Sequence, residues 1–152
     1  MAVIDRQTAR VIPVSPRGRV LLLSGHDPTH PGTPFWFTIG GGIEAGETAR
    51  AAAQRELWEE TGIDVPGTAL GELFHSETHT YSYAGAEIRA SSVYFALTMS
   101  SETAVRPAGP SAGEIITAGR WWQPEALRSG PVANPDIPDI VSRAVLSLSP
   151  KD

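Results

Sequence analysis

Residues 41–63 read GGIEAGETARAAAQRELWEETGI, a glycine-led loop running directly into a helix-forming stretch that carries Glu56, Glu59 and Glu60. Alanines at 49, 51, 52 and 53 favour helix and keep its surface slim, Thr48 suits the N-cap, and Gly62 suits the stop. A helix over residues 49–61 returns to one face every three or four residues, so the three glutamates project together. Like charges at those spacings cost a bare helix roughly 0.2–0.5 kcal/mol per pair, and the nearby helical cation, Arg55, pairs best with Glu59 at i,i+4. A divalent cation would relieve the repulsion. Hard oxygen ligands suit Mg²⁺ or Mn²⁺, and Mg²⁺ is usually held by a few carboxylates, waters and phosphate oxygens. Gly40, Gly41 and Gly42 let backbone approach a ligand where side chains would not. The residues point to a metal-assisted phosphate site; the plainer alternative is a solvated acidic helix face.

The spacing carries a specific resemblance. Gly41, five residues, Glu47, seven residues, Arg55-Glu56-Leu57, one residue, Glu59-Glu60, one residue and Gly62-Ile63 fill every fixed position of the Nudix box, so the chain resembles the Nudix hydrolase family, MutT-like members included. Ile39 and Ala45 stand where the commonest form of the box has prolines, which bears on loop shape rather than class. The resemblance implies an α/β/α sandwich around a mixed β-sheet. It also implies one or more Mg²⁺ ions, with Mn²⁺ as a substitute, bound by Glu56, Glu59, Glu60 and a loop carbonyl, that of Gly40. Such an ion neutralises diphosphate charge and lowers the pKa of a bound water. Glu60 is then the first choice for general base, Glu59 and Glu56 share the catalytic centre, and Arg55 with Glu47 ties loop to helix, a task for which an Arg fork is better shaped than Lys. Gly41 and Gly42 would lie against substrate. A further acidic ligand outside the box is common in the family, with Glu114 the first candidate and Glu87 the second.

The implied reaction is hydrolysis of a nucleoside diphosphate linked to another moiety. No proline occurs between Gly67 and Arg106, where ADP-ribose-type members tend to carry one, and that absence leans towards MutT-like nucleoside triphosphate hydrolysis. The alternative is a nucleotide-sensing or protein-interaction module that keeps the fold without catalysis.

The rest of the chain bounds the reading. At 152 residues it fits one domain, 1–152, long enough to bury roughly 68–70% of its unfolded surface. It has no cysteine, which excludes disulfides and thiolate metal sites and agrees with a cytoplasmic location. The N-terminus lacks the apolar core of a signal peptide, and no run reaches a membrane span. A formal charge of -5 argues against a nucleic-acid polymer as partner, whereas a small nucleotide makes no such demand. A homodimer is compatible with the sequence.

Residues 8–14 and 19–24 read as a hairpin turned at Ser15-Pro16-Arg17-Gly18, residues 26–34 as a loop, and residues 35–39 as a short aromatic strand. A longer hairpin is expected over 69–83 and 86–99, turned at Ala84-Gly85. Residues 101–113 read as a mobile loop, 114–122 as a strand, 123–128 as a short helix, and 138–148 as an amphipathic helix with Pro138 in its first turn. Trp36, Phe74, Tyr81 and Tyr83 are candidates to stack a base. Pro131-Val132-Ala133-Asn134 resembles the segment by which MutT-type members read a base, with Asn134 offering a donor and an acceptor, although a plain turn is the favoured reading. His75, Glu77, His79 and Tyr81 alternate on one strand face. His-x-Glu-x-His is the competing chemical reading, a transition-metal site, but the chain offers no matching further ligands.

Overall fold

The computed structural model describes residues 3–25, 35–106 and 116–149. Its centre is β1 (Val3–Val14), which pairs in parallel with β6 (Ala86–Thr98) along its whole length, from Val3↔Glu87 to Val14↔Thr98. On its other edge β1 is shared. Residues 8–11 pair antiparallel with β4 (Ile39–Gly42), and Val14 meets Val20 of β2 (Val20–Gly25) across the expected turn. Outward from β2 lie β3 (Phe35–Phe37) and β7 (Ile116–Trp122), both antiparallel to it, and β5 (Leu70–Tyr83) flanks β6. The result is a seven-stranded mixed sheet.

Alternation along the strands gives this sheet two apolar faces. Ala9, Val11, Leu21, Leu23, Ile39, Phe95 and Leu97 pack under α1 (Ala49–Thr61), which contributes Ala52, Ala53 and Leu57. Ile12, Val14, Val20, Leu22, Tyr94 and Ala96 pack under α2 (Ile137–Ser147), which contributes Ile137, Ile140, Val141 and Ala144. The run at 20–23 is buried throughout because its residues feed both faces in turn. The architecture is the expected α/β/α sandwich. Among the described residues no helix is long and apolar enough to cross a membrane.

Several boundaries differ from the sequence reading. β1 starts at Val3, earlier than residue 8, because parallel pairing with β6 satisfies the backbone even where Asp5, Arg6 and Gln7 interrupt the apolar pattern. The single strand expected at 35–39 is two strands broken at Thr38, and the second runs on into the glycines. Residues 35–42 thus cross from β2 to β1, bridging the gap where those two strands diverge. The short helix after Trp122 is a 3-10 turn (Pro124–Ser129), and α2 begins at Ile137 with Pro138 in its first turn. Residues 101–106, expected in a mobile loop, are tied down. Arg19 grips Glu102 with two donors, 2.7 and 2.6 Å; Trp121 Nε1 donates to the Thr103 carbonyl, 3.1 Å; and Arg106 N donates to the Thr61 carbonyl, 3.1 Å. The loop read at 26–34 and the remainder of the one read at 101–113 lie outside the described residues, as does Glu114.

Leu22 is fully buried between the sheet and α2. Leu22→Ala should destabilise the protein by about 2–5 kcal/mol, read as a lower urea midpoint with an unchanged m-value; a loss below about 1 kcal/mol would contradict the packing described.

Candidate active site

The loop before α1 and the helix itself are locked by one side chain. Thr48 caps the helix, accepting from Ala51 N at 3.0 Å, and Gly62 ends it in the left-handed conformation. Two turns in, Arg55 spends all five guanidinium donors. Nε and Nη2 hold Glu47 Oε2 and Oε1 at 2.9 and 3.0 Å, Nη2 also reaches the Gly42 carbonyl at 2.9 Å, and Nη1 bonds Glu56 Oε1 at 3.0 Å and Glu59 Oε2 at 3.3 Å. The fork beside it, with help from Glu44 N at 3.0 Å, holds the Glu47 carboxyl well down, to about 2. Glu47 and Glu56 in turn raise the pKa of Arg55. The structure therefore brings together Glu47, Arg55, Glu56, Glu59 and the β4 backbone.

Glycine makes the contact with β4 close. A Cβ on Gly41 would sit 2.5 Å from Glu56 Oε1, and Gly40, at φ +149°, turns the site of its missing side chain onto the Ala9 carbonyl oxygen. With both side chains absent, Gly40 N donates to Glu60 Oε1 at 2.7 Å. Burial pushes the Glu60 carboxyl up to about 8, against the lowering effects of that backbone bond and of the Arg10 charge, while Glu56 and Glu59 add to the rise. Burial also raises Glu56, partly offset by Arg55.

Among the described residues no group of three or more His, Asp or Glu side chains is arranged to hold a metal ion. The reason is visible in the partners: Arg55 draws Glu56 and Glu59, and Gly40 N takes Glu60. The Gly40 carbonyl, expected as a ligand, accepts from Arg10 Nη1 at 3.1 Å. The donors present nevertheless fit a hard divalent cation. They are oxygens, and burial drives two of the carboxyls, Glu56 and Glu60, towards their neutral forms against the lowering pull of Arg55 and Arg10, a cost that a bound cation would relieve. Glu87 is not brought to this cluster. It lies seven residues along β6 from Tyr94, the partner of Arg10, about 23 Å at the rise of a strand.

The outer candidates have other partners. His75, Glu77, His79 and Tyr81 do share a half-buried face, yet they form a bridge rather than a metal group. Arg143 Nη1 lies 3.2 Å from His75 Nδ1, and because arginine only donates, Nδ1 accepts and Nε2 carries the proton towards Glu77 Oε1 at 3.1 Å. Asn134 Nδ2 donates to Glu77 Oε2 at 2.6 Å, and its Oδ1 accepts from Asp136 N at 2.8 Å, so both ends of this amide brace the turn into α2. Tyr81 stacks on His79, centroids 5.6 Å apart. Trp36 meets Trp122 edge-on at 5.1 Å, while its backbone bonds Pro131 and Ala133. Arg10, Thr38 and Tyr94 border the site and were not singled out from sequence; the available signal was a charged side chain inside the apolar run at 9–14.

Known proteins resemble this chain in sequence and in fold. The family model described as NUDIX domain matches residues 5–142. Over 59 residues the chain is 41% identical to the RNA pyrophosphohydrolase of Roseobacter denitrificans, covering 35% of this chain and 37% of that one. Over 50 residues it is 42% identical to the NAD-capped RNA hydrolase NudC of Haemophilus influenzae, covering 32% and 19%. The matched part thus spans less than two-fifths of either curated relative. The fold is similar to that of the E. coli dihydroneopterin triphosphate pyrophosphohydrolase, with a TM-score of 0.71 at 22% identity, covering 94% of this chain and 98% of that one.

Folded Glu60 keeps its proton up to about pH 8, whereas an unfolded glutamate releases it near 4.5. The associated stability is complete below the lower value and lost as pH rises through the higher one. In EDTA, the wild-type Tm should therefore fall more steeply between about pH 5 and about pH 9 than that of Glu60→Gln; parallel profiles would contradict this burial.

Proposed function

The chain belongs to the NUDIX domain family, and from that premise we propose that it is a Mg²⁺-dependent hydrolase cleaving the diphosphate of a nucleoside diphosphate linked to another moiety. The observation that carries this reading is the Arg55 clamp, which gathers Glu47, Glu56, Glu59 and the Gly42 carbonyl around one guanidinium, with Glu60 anchored alongside on Gly40. A filled motif alone would be compatible with a solvated acidic helix. Carboxylates fixed against a glycine strand, two of them partly buried, are instead pre-organised for a ligand.

Mg²⁺, or Mn²⁺ in its place, would be held by Glu56, Glu59 and Glu60 and would supply positive charge opposite the diphosphate together with acidification of water. The remaining work falls to the chain. Glu60 Oε1 is committed to Gly40 N, which leaves Oε2 to accept the proton of the attacking water. The water oxygen bonds to phosphorus, the bond from phosphorus to the bridging oxygen breaks, and that oxygen departs on the second product. Glu47 stays ionised and keeps Arg55 in place, so the clamp does not titrate with the base. Gly40, Gly41 and Gly42 let phosphate oxygens come close to β4.

For the substrate we favour a small nucleotide, with a MutT-like nucleoside triphosphate first. The net charge of -5 and the absence of proline between Gly67 and Arg106 support this choice. The names of the curated relatives point to RNA 5′ ends, so that class belongs in the test.

Phosphate or pyrophosphate release should be measured over ordinary and oxidised nucleoside triphosphates, dinucleoside polyphosphates, sugar nucleotides, ADP-ribose and 5′-triphosphorylated RNA, each with Mg²⁺ and with EDTA. Turnover is expected only with the metal, and most strongly on a small nucleotide. Tight binding without cleavage across the panel would support the non-catalytic module instead. Glu59→Gln and Glu60→Gln should each lower kcat by at least about tenfold, or about 1.4 kcal/mol of barrier; unchanged turnover in both would sink the metal assignment.

A further inference from the structure

Arg6, Thr8 and Arg10 share one face of β1, since Ala9 and Val11 between and beyond them turn into the α1 core. On one side they border β4 in the register Thr8↔Gly42 and Arg10↔Gly40, where the neighbouring strand has no side chains to offer. On the other they border Ala90, Ser92 and Tyr94 of β6. Thr8 Oγ1 and Ser92 Oγ bond each other at 2.6 Å, buried at 0% and 6% exposure, so the strip between the two arginines is already satisfied.

The two guanidinium groups are not satisfied in the same way. Arg19, Arg55, Arg89 and Arg128 each answer a carboxylate. Arg10, half-buried, has only neutral partners among the described residues: the Thr38 and Gly40 carbonyls, both 3.1 Å from Nη1, and Thr8 Oγ1, 3.4 Å from Nε. Its Nη2 donates to no described residue. Arg6, also half-buried, lies with Nη2 over Gly42, 3.4 Å from where a Cβ would stand, and makes no hydrogen bond or ion pair with a described residue. Arg10 feels the Glu60 and Glu56 carboxyls at a distance but hydrogen-bonds neither; a half-buried guanidinium with no carboxylate in its fork has donors to offer, and that fork matches phosphate oxygens two at a time. The β4 backbone is thus gripped by Glu60 and Arg55 from α1 and overlain by Arg10 and Arg6 from β1.

Resting on the diphosphate-hydrolase reading, we propose that Arg10 and Arg6 are substrate-binding residues that hold the non-bridging oxygens of the substrate's diphosphate along the glycine strand, opposite the helix carboxylates. The pair binds and orients; it moves no proton. Arg10 has a second duty as a strut across the Thr38 break, whereas Arg6 has none, and the two variants therefore separate binding from folding.

The test is calorimetric titration of inorganic pyrophosphate into the full chain in EDTA, where no metal can hold the anion. Wild type should bind saturably. Arg6→Gln and Arg10→Gln should each weaken binding by at least about tenfold, with Arg10→Lys recovering part of the loss, because a point charge replaces the fork. Arg6→Gln should leave Tm unchanged, and in the turnover assay it should raise KM with kcat little altered. No saturable binding to wild type, or equal affinity in both glutamine variants, overturns the proposal. Glu59-dependent turnover alongside equal pyrophosphate affinity would remove the arginine site alone. Arginine-dependent pyrophosphate binding with no turnover on any substrate would remove the hydrolase reading and leave the anion site standing.

Discussion

The site depends on one guanidinium. Arg55 is a planar fork with five donors, and each finds an oxygen on a different part of the same small region: a loop carboxylate, a strand carbonyl and two helix carboxylates. Without it, three carboxylates in a short stretch, Glu47, Glu56 and Glu59, would repel one another and the loop would lose its tie to the middle of the helix. With it, their mutual repulsion becomes a common attraction to a single cation. A lysine offers a point charge and cannot span these directions at once. The low pKa of Glu47 is the electrostatic signature of this arrangement, since a carboxylate held by two charge-assisted bonds resists protonation.

A second constraint is closeness. α1 approaches β4 until a carboxyl occupies the volume a side chain at residue 41 would need, and β4 approaches β1 until residue 40 leaves no room for one. Both approaches rely on the break at Thr38, which lets one segment leave β2 and join β1. The electrostatic cost falls on Glu60, which loses water and gains only one backbone donor. Such a group is unfavourable as a structural element, and carboxyls perturbed in this way cluster at functional sites.

Much of this was legible from residue types. The helix bounds follow from Thr48, the alanines and Gly62, all local signals, and the sandwich follows from strand alternation flanking two helical stretches. The partnership of Arg55 with Glu47 follows from the resemblance. What was not legible depends on tertiary register. The divergence of β1 from β2 splits the strand at Thr38, and no residue there announces it, because the run Phe35 to Ile39 is made wholly of strand-favouring residues. Arg10 reads as an interruption of an apolar run until β4 is placed beside it. Asn134 reads as a turn residue, with a base reader as the alternative, and nothing local announces that Glu77, far off in sequence, accepts from its amide. Glu87 is nearer the box along the chain than Glu114, yet the register of β6 sets it beside Val3, away from the glycines paired with residues 8–10.

The parallel pairing of β1 with β6 has a consequence for the order of assembly. The Thr8 to Ser92 bond closes a span of 84 residues, whereas the contacts of β4 and α1 with one another close spans of 20 or fewer. Loop-closure entropy makes the short spans cheap and the long one slow. During synthesis the loop, the helix and the glycine strand can meet while β6 is still inside the ribosome. The central strand then carries β4 and α1 on one edge and an open edge on the other. Such an edge is a template for wrong partners until its own strand arrives. The polar residues Asp5 and Gln7, exposed at the start of β1, and the half-buried Arg6 between them are the kind of side chains that discourage that mispairing. The same stretch that obscured the strand in the sequence therefore protects it while it waits.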